Sequence, residues 1–313
     1  MDYYYSLTQD LLLNQNVSFA TGHDNFINNV GKIQNSGVEF AVTTDVDFGG
    51  LNWVMSGNIS TNRNRLISLG GEEQFISDGE REDQYIARVG EEAIQFYGFR
   101  TIGVWQNQEE IDNNPSSAED SPGGLRVADI NGDGEITTAD RTTLGSPFPD
   151  FTWGISNTFK YKGFDLYFLF QGTEGGEVFY GDGFYLETRE LHSDFVQNRW
   201  VHPDVEASQP TGRVGREWTA TDHLVQDASY LALREAVLGY TFNEKVTKAL
   251  GVNSMRIFAT GQNLLYVFAE SYYGNNPEEV RTSGQYASPL VSGYQRGADP
   301  LSRQFAAGID ITF

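Results

Sequence analysis

Phe151-Thr152-Trp153-Gly154-Ile155-Ser156-Asn157-Thr158-Phe159-Lys160-Tyr161 is the stretch that decides the fold. Phe151, Trp153, Ile155, Phe159 and Tyr161 fall on one face, with Asn157 as the single polar intruder, and Thr152, Gly154, Ser156, Thr158 and Lys160 fall on the other. Period two with aromatics near both ends predicts a strand with one side in hydrocarbon and girdle residues at its rims. A sandwich strand also alternates, but it seldom sets four bulky aromatics on one face. Lys162-Gly163 then leads into Phe164, Leu166, Phe168 and Phe170, opposite Asp165, Tyr167, Leu169 and Gln171, so the two runs read as a hairpin with a very short connection. Phe305, Ala307, Ile309, Ile311 and Phe313 repeat the pattern against Gln304, Ala306, Gly308, Asp310 and Thr312. A strand running to the last residue is expected to be held in a sheet.

Working outward, Val38, Phe40, Val42, Thr44, Val46 and Phe48 alternate up to Gly49-Gly50, which turns the chain into Leu51, Trp53, Met55, Gly57 and Ile59. Segments 230–242 and 255–266 are strand-like but mixed, as a bulge that shifts the alternation would make them. With the partial strand at the start, eight strands are expected. Gly49-Gly50 and Lys162-Gly163 are tight and the 243–254 link is moderate, whereas 9–35, 63–149, 173–228 and 267–302 read as long connections. Short and long links alternate strictly. In an antiparallel array that places every long loop at one end, the arrangement of an outer-membrane barrel with small periplasmic turns. The expected class is therefore all-β, an antiparallel transmembrane β-barrel portion with long outer loops, and a soluble sandwich is the competing reading.

Composition agrees. The 313 residues include 34 Gly, 21 Phe, 16 Tyr and 5 Trp, with no Cys and four His, which favours sheet with many turns over helix bundles. Without cysteine there are no disulfides and no thiolate metal sites. Acidic residues number 43 against 21 basic, a formal charge of -22, which argues against a nucleic-acid surface and leaves room for cations. No run of about 18 apolar residues exists, so no transmembrane helix is expected, while strands that cross a membrane stay possible. No basic-then-apolar signal follows Met1, and the abrupt start Tyr3-Tyr4-Tyr5 sets the expectation that an N-terminal part lies outside this sequence.

Several motifs, in order across nearly the whole chain, carry a resemblance. They are Asn29-Val30-Gly31-Lys32-Ile33-Gln34-Asn35-Ser36-Gly37-Val38-Glu39, Phe96-Tyr97-Gly98-Phe99, Asp129-Ile130-Asn131-Gly132-Asp133-Gly134 and Pro149-Asp150-Phe151-Thr152-Trp153-Gly154. Tyr161-Lys162-Gly163-Phe164-Asp165-Leu166, Asp227-Ala228-Ser229-Tyr230-Leu231-Ala232-Leu233-Arg234, Leu238-Gly239-Tyr240 and Gly261-Gln262-Asn263-Leu264 follow, with the terminal Phe313. In these the chain resembles the C-terminal part of the SusC/RagA family of TonB-dependent outer-membrane transporters from Bacteroidota. The resemblance implies a full protein with a plug domain, a TonB-contacting segment and a barrel of about 22 strands. It further implies a cell outer-membrane location, a SusD-type surface lipoprotein as lid, and import of oligosaccharides or oligopeptides powered by the TonB complex.

The sharpest local motif spans 129–140. Asp129, Asn131, Asp133, Thr137 and Asp140 supply side-chain oxygens at positions 1, 3, 5, 9 and 12, Glu135 supplies a backbone carbonyl, Gly134 stands at position 6 and Ile136 at position 8. That is calcium-loop spacing apart from Asp at the last position, so structural Ca2+ is expected, and an ion-free Asx-rich turn is the alternative. The surrounding 63–149 loop has 17 acidic residues against 7 Arg, a solvated loop or one pinned by the ion. Phe96-Tyr97-Gly98-Phe99 is expected to pack as loop core. For substrate contact the candidates are Phe179, Tyr180, Phe184 and Tyr185 among glycines, and Tyr272, Tyr273, Tyr286 and Tyr294 among amides. Amphipathic rings beside amides suit sugars and peptides, and packing of loops against one another explains them equally well. Catalysis finds little support: His23, His192, His202 and His223 are scattered, Glu187/Glu190 and Asp182/Asp194 are pairs any acidic loop offers, and 172–176 lacks the lysine of a phosphate loop. The competing functional classes are a surface calcium-binding carbohydrate-binding β module and, on acidic residues alone, a glycan hydrolase.

Overall fold

A computed structural model describes residues 1–16, 25–79, 84–186, 193–212, 218–279 and 290–313. β1 (Asp2–Asn16), β2 (Asn25–Phe48) and β3 (Leu51–Leu69) run as successive antiparallel partners. The following connection carries β4 (Gln74–Asp78), β5 (Gln84–Arg88), β6 (Gln95–Gly98), β7 (Thr101–Val104), the short helix α1 (Gln108–Asp112), β8 (Leu125–Val127) and β9 (Thr142–Gly145). β10 (Phe151–Tyr161) and β11 (Phe164–Glu174) form the expected hairpin, after which come β12 (Glu177–Tyr180), α2 (Gly183–Leu186), α3 (Ser193–Asn198) and β13 (Val225–Asp227). β14 (Tyr230–Thr241), α4 (Glu244–Leu250), β15 (Ser254–Phe268), β16 (Tyr294–Gln295) and β17 (Gln304–Thr312) complete the chain. Eight of these strands form one antiparallel sheet in the order β1-β2-β3-β10-β11-β14-β15-β17, the number and class the alternation predicts.

Register makes the sheet a two-faced wall. One row of partners crosses seven strands as Phe48, Leu51, Tyr161, Phe164, Tyr240, Ile257 and Ile309. The next row, one residue along, is Asp47, Asn52, Lys160, Asp165, Gly239, Phe258 and Gly308 and points to the opposite side. The first face is greasy from edge to edge, with Phe40, Val42, Ile155, Leu166, Leu238 and Ile309 exposed, as a surface against lipid requires. The second carries the Arg256 guanidinium forked onto Asp165 at 3.0 and 2.6 Å. Asn157, the polar intruder on the apolar face, accepts the indole N–H of Trp53 from β3 at 3.0 Å, so neither group meets hydrocarbon unpaired.

Strand lengths differ from the sequence expectation. β1 and β2 pair as far as Asn16 and Asn25, and β3 runs to Leu69, so most of 9–35 and the start of 63–149 are strand and not loop. At 24 residues β2 is roughly 80 Å long at about 3.3 Å per residue, far more than a bilayer core of about 30 Å needs. Beyond the membrane both faces of a strand meet water, so the period-two signal fades there. In β14 the alternation breaks where the register passes directly from Leu233 to Glu235, which puts Leu231 and Leu233, then Ala236, Leu238 and Tyr240, on one face. This is the bulge that the mixed pattern calls for.

The links at one end are minimal. Gly49 and Gly50 (φ 65° and 99°), like Lys162 and Gly163 (φ 47° and 90°), adopt the paired left-handed conformation of a type I′ hairpin, which suits glycine. At that end α4 is capped by Asn243, whose side chain accepts from the N–H groups of Lys245 and Val246, and closed by Gly251. No helix among the described residues is long and apolar enough to cross a membrane. The buried core lies at the other end, among the connections: Leu66, Tyr85, Phe96, Phe179, Phe195, Trp218, Leu224 and Leu290 pack there with the top of β3.

Candidate functional site

The connections at the far end fold into one body on top of the wall. β4, β5, β6 and β9 form a sheet within the 70–150 connection, and β12 joins the next two, pairing antiparallel with β13 and parallel with β16. Aromatic rings run through the junction, Tyr85 to Phe96 at 5.6 Å, Phe96 to Phe179 at 6.3 Å and Phe179 stacked on Tyr294 at 5.7 Å. Gly293, at φ 92°, lets the chain pass so close that an added Cβ would lie 2.6 Å from Phe96 Cζ. Such rings contribute area burial plus about 0.5–1.5 kcal/mol per well-placed pair, so three connections that are loops by sequence hold a defined shape.

Glu177 ties two of these connections at backbone level. Its Oε2 accepts the Ser146 N–H at 2.7 Å and its own N–H donates to Ser146 O at 2.7 Å. Burial pushes its carboxyl above the usual range; the Ser146 bond opposes this, and the nearby Asp227, Glu92 and Asp150 add to it. Tyr272 is part of a second tie: its hydroxyl donates to Oε1 of the fully buried Gln295 at 2.7 Å and accepts from Asn276 N–H at 3.2 Å. Burial dominates there and pushes the phenol up to about 12.

Most of the ring residues picked out as substrate contacts serve this packing. Phe179, Tyr180, Phe184, Tyr272 and Tyr294 are buried, with Phe179, Phe184 and Tyr294 inside the principal core, so the loop-packing alternative accounts for them. Tyr185 is half-buried with the Arg296 guanidinium 4.8 Å from its ring centre, and Tyr273 is exposed. Tyr286 lies outside the described residues. Phe96 and Phe99 are core, as expected.

The 129–140 segment is a chain of Asx turns. Asp129 accepts from Gly132 and Gly134 at 2.7 and 2.9 Å, Asn131 Oδ1 from Asp133 N–H at 2.9 Å, and Asp133 from Glu135 at 2.9 Å. Asp140 is fully buried. Its Oδ1 accepts from Ile130 and Asn131 at 3.0 and 3.3 Å and its Oδ2 from Thr137 at 2.8 Å, while the Thr137 hydroxyl accepts from Ala139, a capping box. Burial opposes ionisation, but these N–H groups win and hold the carboxyl below its ordinary value. Ile136 anchors the turn on Phe99 and Val127. Among the described residues no group of three or more His, Cys, Asp or Glu is disposed to hold a metal ion.

Of the groups weighed for catalysis, His202 sits beside Asp204 on the surface at 3.3 Å, His223 packs edge-on to Trp218 at 4.9 Å, and Asp182 accepts the Gly297 N–H at 3.0 Å. His23, His192, Glu187 and Glu190 lie outside the described residues. Sequence reasoning missed Arg234, which stands between Tyr230 and Tyr266 on the polar face. Its signal was a cation placed where the alternation breaks.

No family model matches the chain. It is 34% identical to TonB-dependent receptor P3 of Formosa agariphila over all of this chain and 32% of that protein, and 32% identical to receptor P26 of the same organism over equal shares. It is 25% identical to TonB-dependent receptor SusC of Bacteroides thetaiotaomicron, again over the whole chain and 30% of that protein. The chain thus spans about a third of the length of these curated relatives. Its fold superposes on the RagAB peptide transporter with a TM-score of 0.78 at 21% identity, covering 99% of this chain and 32% of that one. The RagAB peptide importer in its 'open-open' state gives 0.77 at 20%. With the apolar row continuous across the wall and the loops gathered at one end, the chain is similar over its whole length to TonB-dependent receptors, SusC among them, it shares the fold of RagAB, and it supplies β-barrel wall that lies in the cell outer membrane.

Proposed function

We propose that the chain is the wall and outer-loop section of an importer that takes up oligosaccharides or oligopeptides, covered by a SusD-type surface lipoprotein and driven by the TonB complex through parts outside these residues. The observation that carries the reading is the separation of faces: an apolar face on one side, a polar face with Lys160, Asp165 and Arg256 on the other, and a cored loop body at one end. Among the described residues, Tyr185 and Tyr273 are the predicted aromatics that keep surface for cargo or lid. Deleting the full-length gene and restoring it in trans, with labelled oligosaccharide and oligopeptide pools and capture of co-purifying lipoprotein, tests the reading. Uptake of neither pool above the deletion strain overturns it. The soluble carbohydrate-module reading is disfavoured by the apolar outer face, which has nothing to bury it in water.

A second reading concerns calcium at Asp129, Asn131, Asp133, Glu135, Thr137 and Asp140. It rests on oxygen spacing, and the hydrogen bonds within the turn supply an ion-free account of the same residues. Calorimetry of the full-length protein with millimolar calcium decides between them. Heat of binding that disappears in Asp129→Ala supports the ion, and none supports the turn alone.

A further inference from the structure

Arg234 is the inserted residue of the β14 bulge: the register steps from Leu233 to Glu235 against both neighbouring strands and leaves it no cross-strand partner. A bulge re-aims the side chain it inserts. Here the guanidinium is held by the polar face of the wall, its Nε donating to Gln171 Oε1 at 3.2 Å, its Nη2 to the Tyr230 hydroxyl at 3.3 Å and its Nη1 to the Tyr266 hydroxyl. It also lies 5.7 and 5.3 Å from the ring centres of those tyrosines, and Tyr266 is fixed in turn by donating to Asn263 Oδ1 at 3.2 Å. From the loop side the Glu278 carboxylate closes onto Nη2. Glu278, with Pro277, Tyr230, Thr173 and Glu177, lines a cavity of about 310 Å³ beneath the loop body.

Three supports from the rigid wall and one from a loop make an unequal set. The wall pre-orients a planar cation between two rings, which is the arrangement that selects a carboxylate, and the loop presents one. With side chains only 20% and 26% exposed, neither charge is left without a partner at low cost, so one carboxylate must replace another and not simply leave.

We propose that Arg234 is a carboxylate-binding site on the inner wall, that Glu278 is its built-in occupant, and that the carboxylate of an arriving solute exchanges with Glu278 and releases the Glu278 end of the 270–279 segment from the wall. The inference rests on the reading that the polar face lines the transport path. An acidic sugar and a peptide C terminus offer the same chemistry, so both are probed.

The experiment uses the full-length transporter in detergent and follows hydrogen exchange of 270–279 with glucuronate or N-acetyl-dialanine, each set against its uncharged counterpart, glucose or the dipeptide amide. A charged probe is expected to raise exchange where its neutral partner does not, and which of the two succeeds identifies the source. Glu278→Gln removes the competitor and is expected to bind that probe at least about fivefold more tightly, with 270–279 already loose. Arg234→Gln is expected to lose the charged-over-neutral preference. Equal effects of charged and neutral probes, or no gain in affinity in Glu278→Gln, overturn the proposal. Uptake is not the readout, so absent exchange beside intact uptake faults this site alone, and intact exchange beside absent uptake faults the importer reading alone.

Discussion

Both oxygens of the Asp140 carboxylate are committed to backbone N–H groups of Ile130, Asn131 and Thr137, so this one side chain closes the 129–140 turn from its last position. Asp140→Ala is expected to leave those donors without their charged acceptor and to cost the turn about 2–3 kcal/mol. The readout is protease cleavage within 125–141 of the full-length protein with chelator present, which should rise because the lost bonds run from side chain to backbone. Its folded pKa is depressed, so its contribution is present above the ordinary carboxylate range and is lost as pH falls below about 4. Glu177 has the opposite sign. Its raised folded pKa means that folding favours the protonated form, so the strain of the charge is present at neutral pH and is relieved as pH falls from the raised value toward the ordinary one. Hydrogen exchange over 177–180 and 225–227 should therefore slow, relative to its intrinsic rate, as pH falls from neutrality toward the ordinary carboxylate range. Glu177→Gln, which keeps an acceptor for Ser146, should already be slow at neutral pH and flat across that range; a parallel slope in both proteins would rule the explanation out.

At the scale of the strand, the row register makes a sharp distinction between neighbours in β17. Ile309 continues the apolar row through Ile257, whereas Ala306 pairs with Thr260 on the polar side. Arginine at 309 is expected to destabilise the wall, by up to about 2–4 kcal/mol if the position lies at the depth of the bilayer midplane, and a spin label there should respond to a lipid-soluble quencher, while a label at 306 should respond to a water-soluble one. Equal response to both quenchers at both positions would defeat the register. Gly308 is unsuitable as the polar-side probe, since an added Cβ would lie 2.5 Å from the Phe258 ring. The membrane-crossing halves of these strands were legible in the sequence because one face meets lipid and the other does not, which imposes period two on β10, β11 and β17. The outer halves of β1, β2 and β3 were not, because above the membrane nothing imposes alternation. Nor could sequence say that Phe179 and Tyr294 stack, since they lie in separate connections and an aromatic destined for a loop core reads the same as one offered to cargo. Arg234 was hidden for a related reason: a bulge appears in sequence only as spoiled alternation.

For the molecule as a whole, the decisive feature is what the wall lacks. Its eight strands end in β1 on one side and β17 on the other, and among the described residues neither outer edge is paired. In a bilayer each unsatisfied backbone group costs several kcal/mol, so the sheet needs further strands to close, and the relatives, about three times as long, have the chain to supply them. The polar face with Lys160, Asp165 and Arg256 then becomes part of a lumen only in the company of those strands. The cored body among the described residues is built from the connections at one end of the sheet, and Glu278 on Arg234 joins it to the wall. Residues 1–313 expressed alone behind a signal peptide, in cells lacking the native transporter, are therefore expected to give uptake at background, while the full-length gene restores it. If the isolated section inserted, closed and accumulated solute in a manner dependent on the proton gradient, the edges would have found partners in each other and the division of labour argued from the open sheet would be wrong.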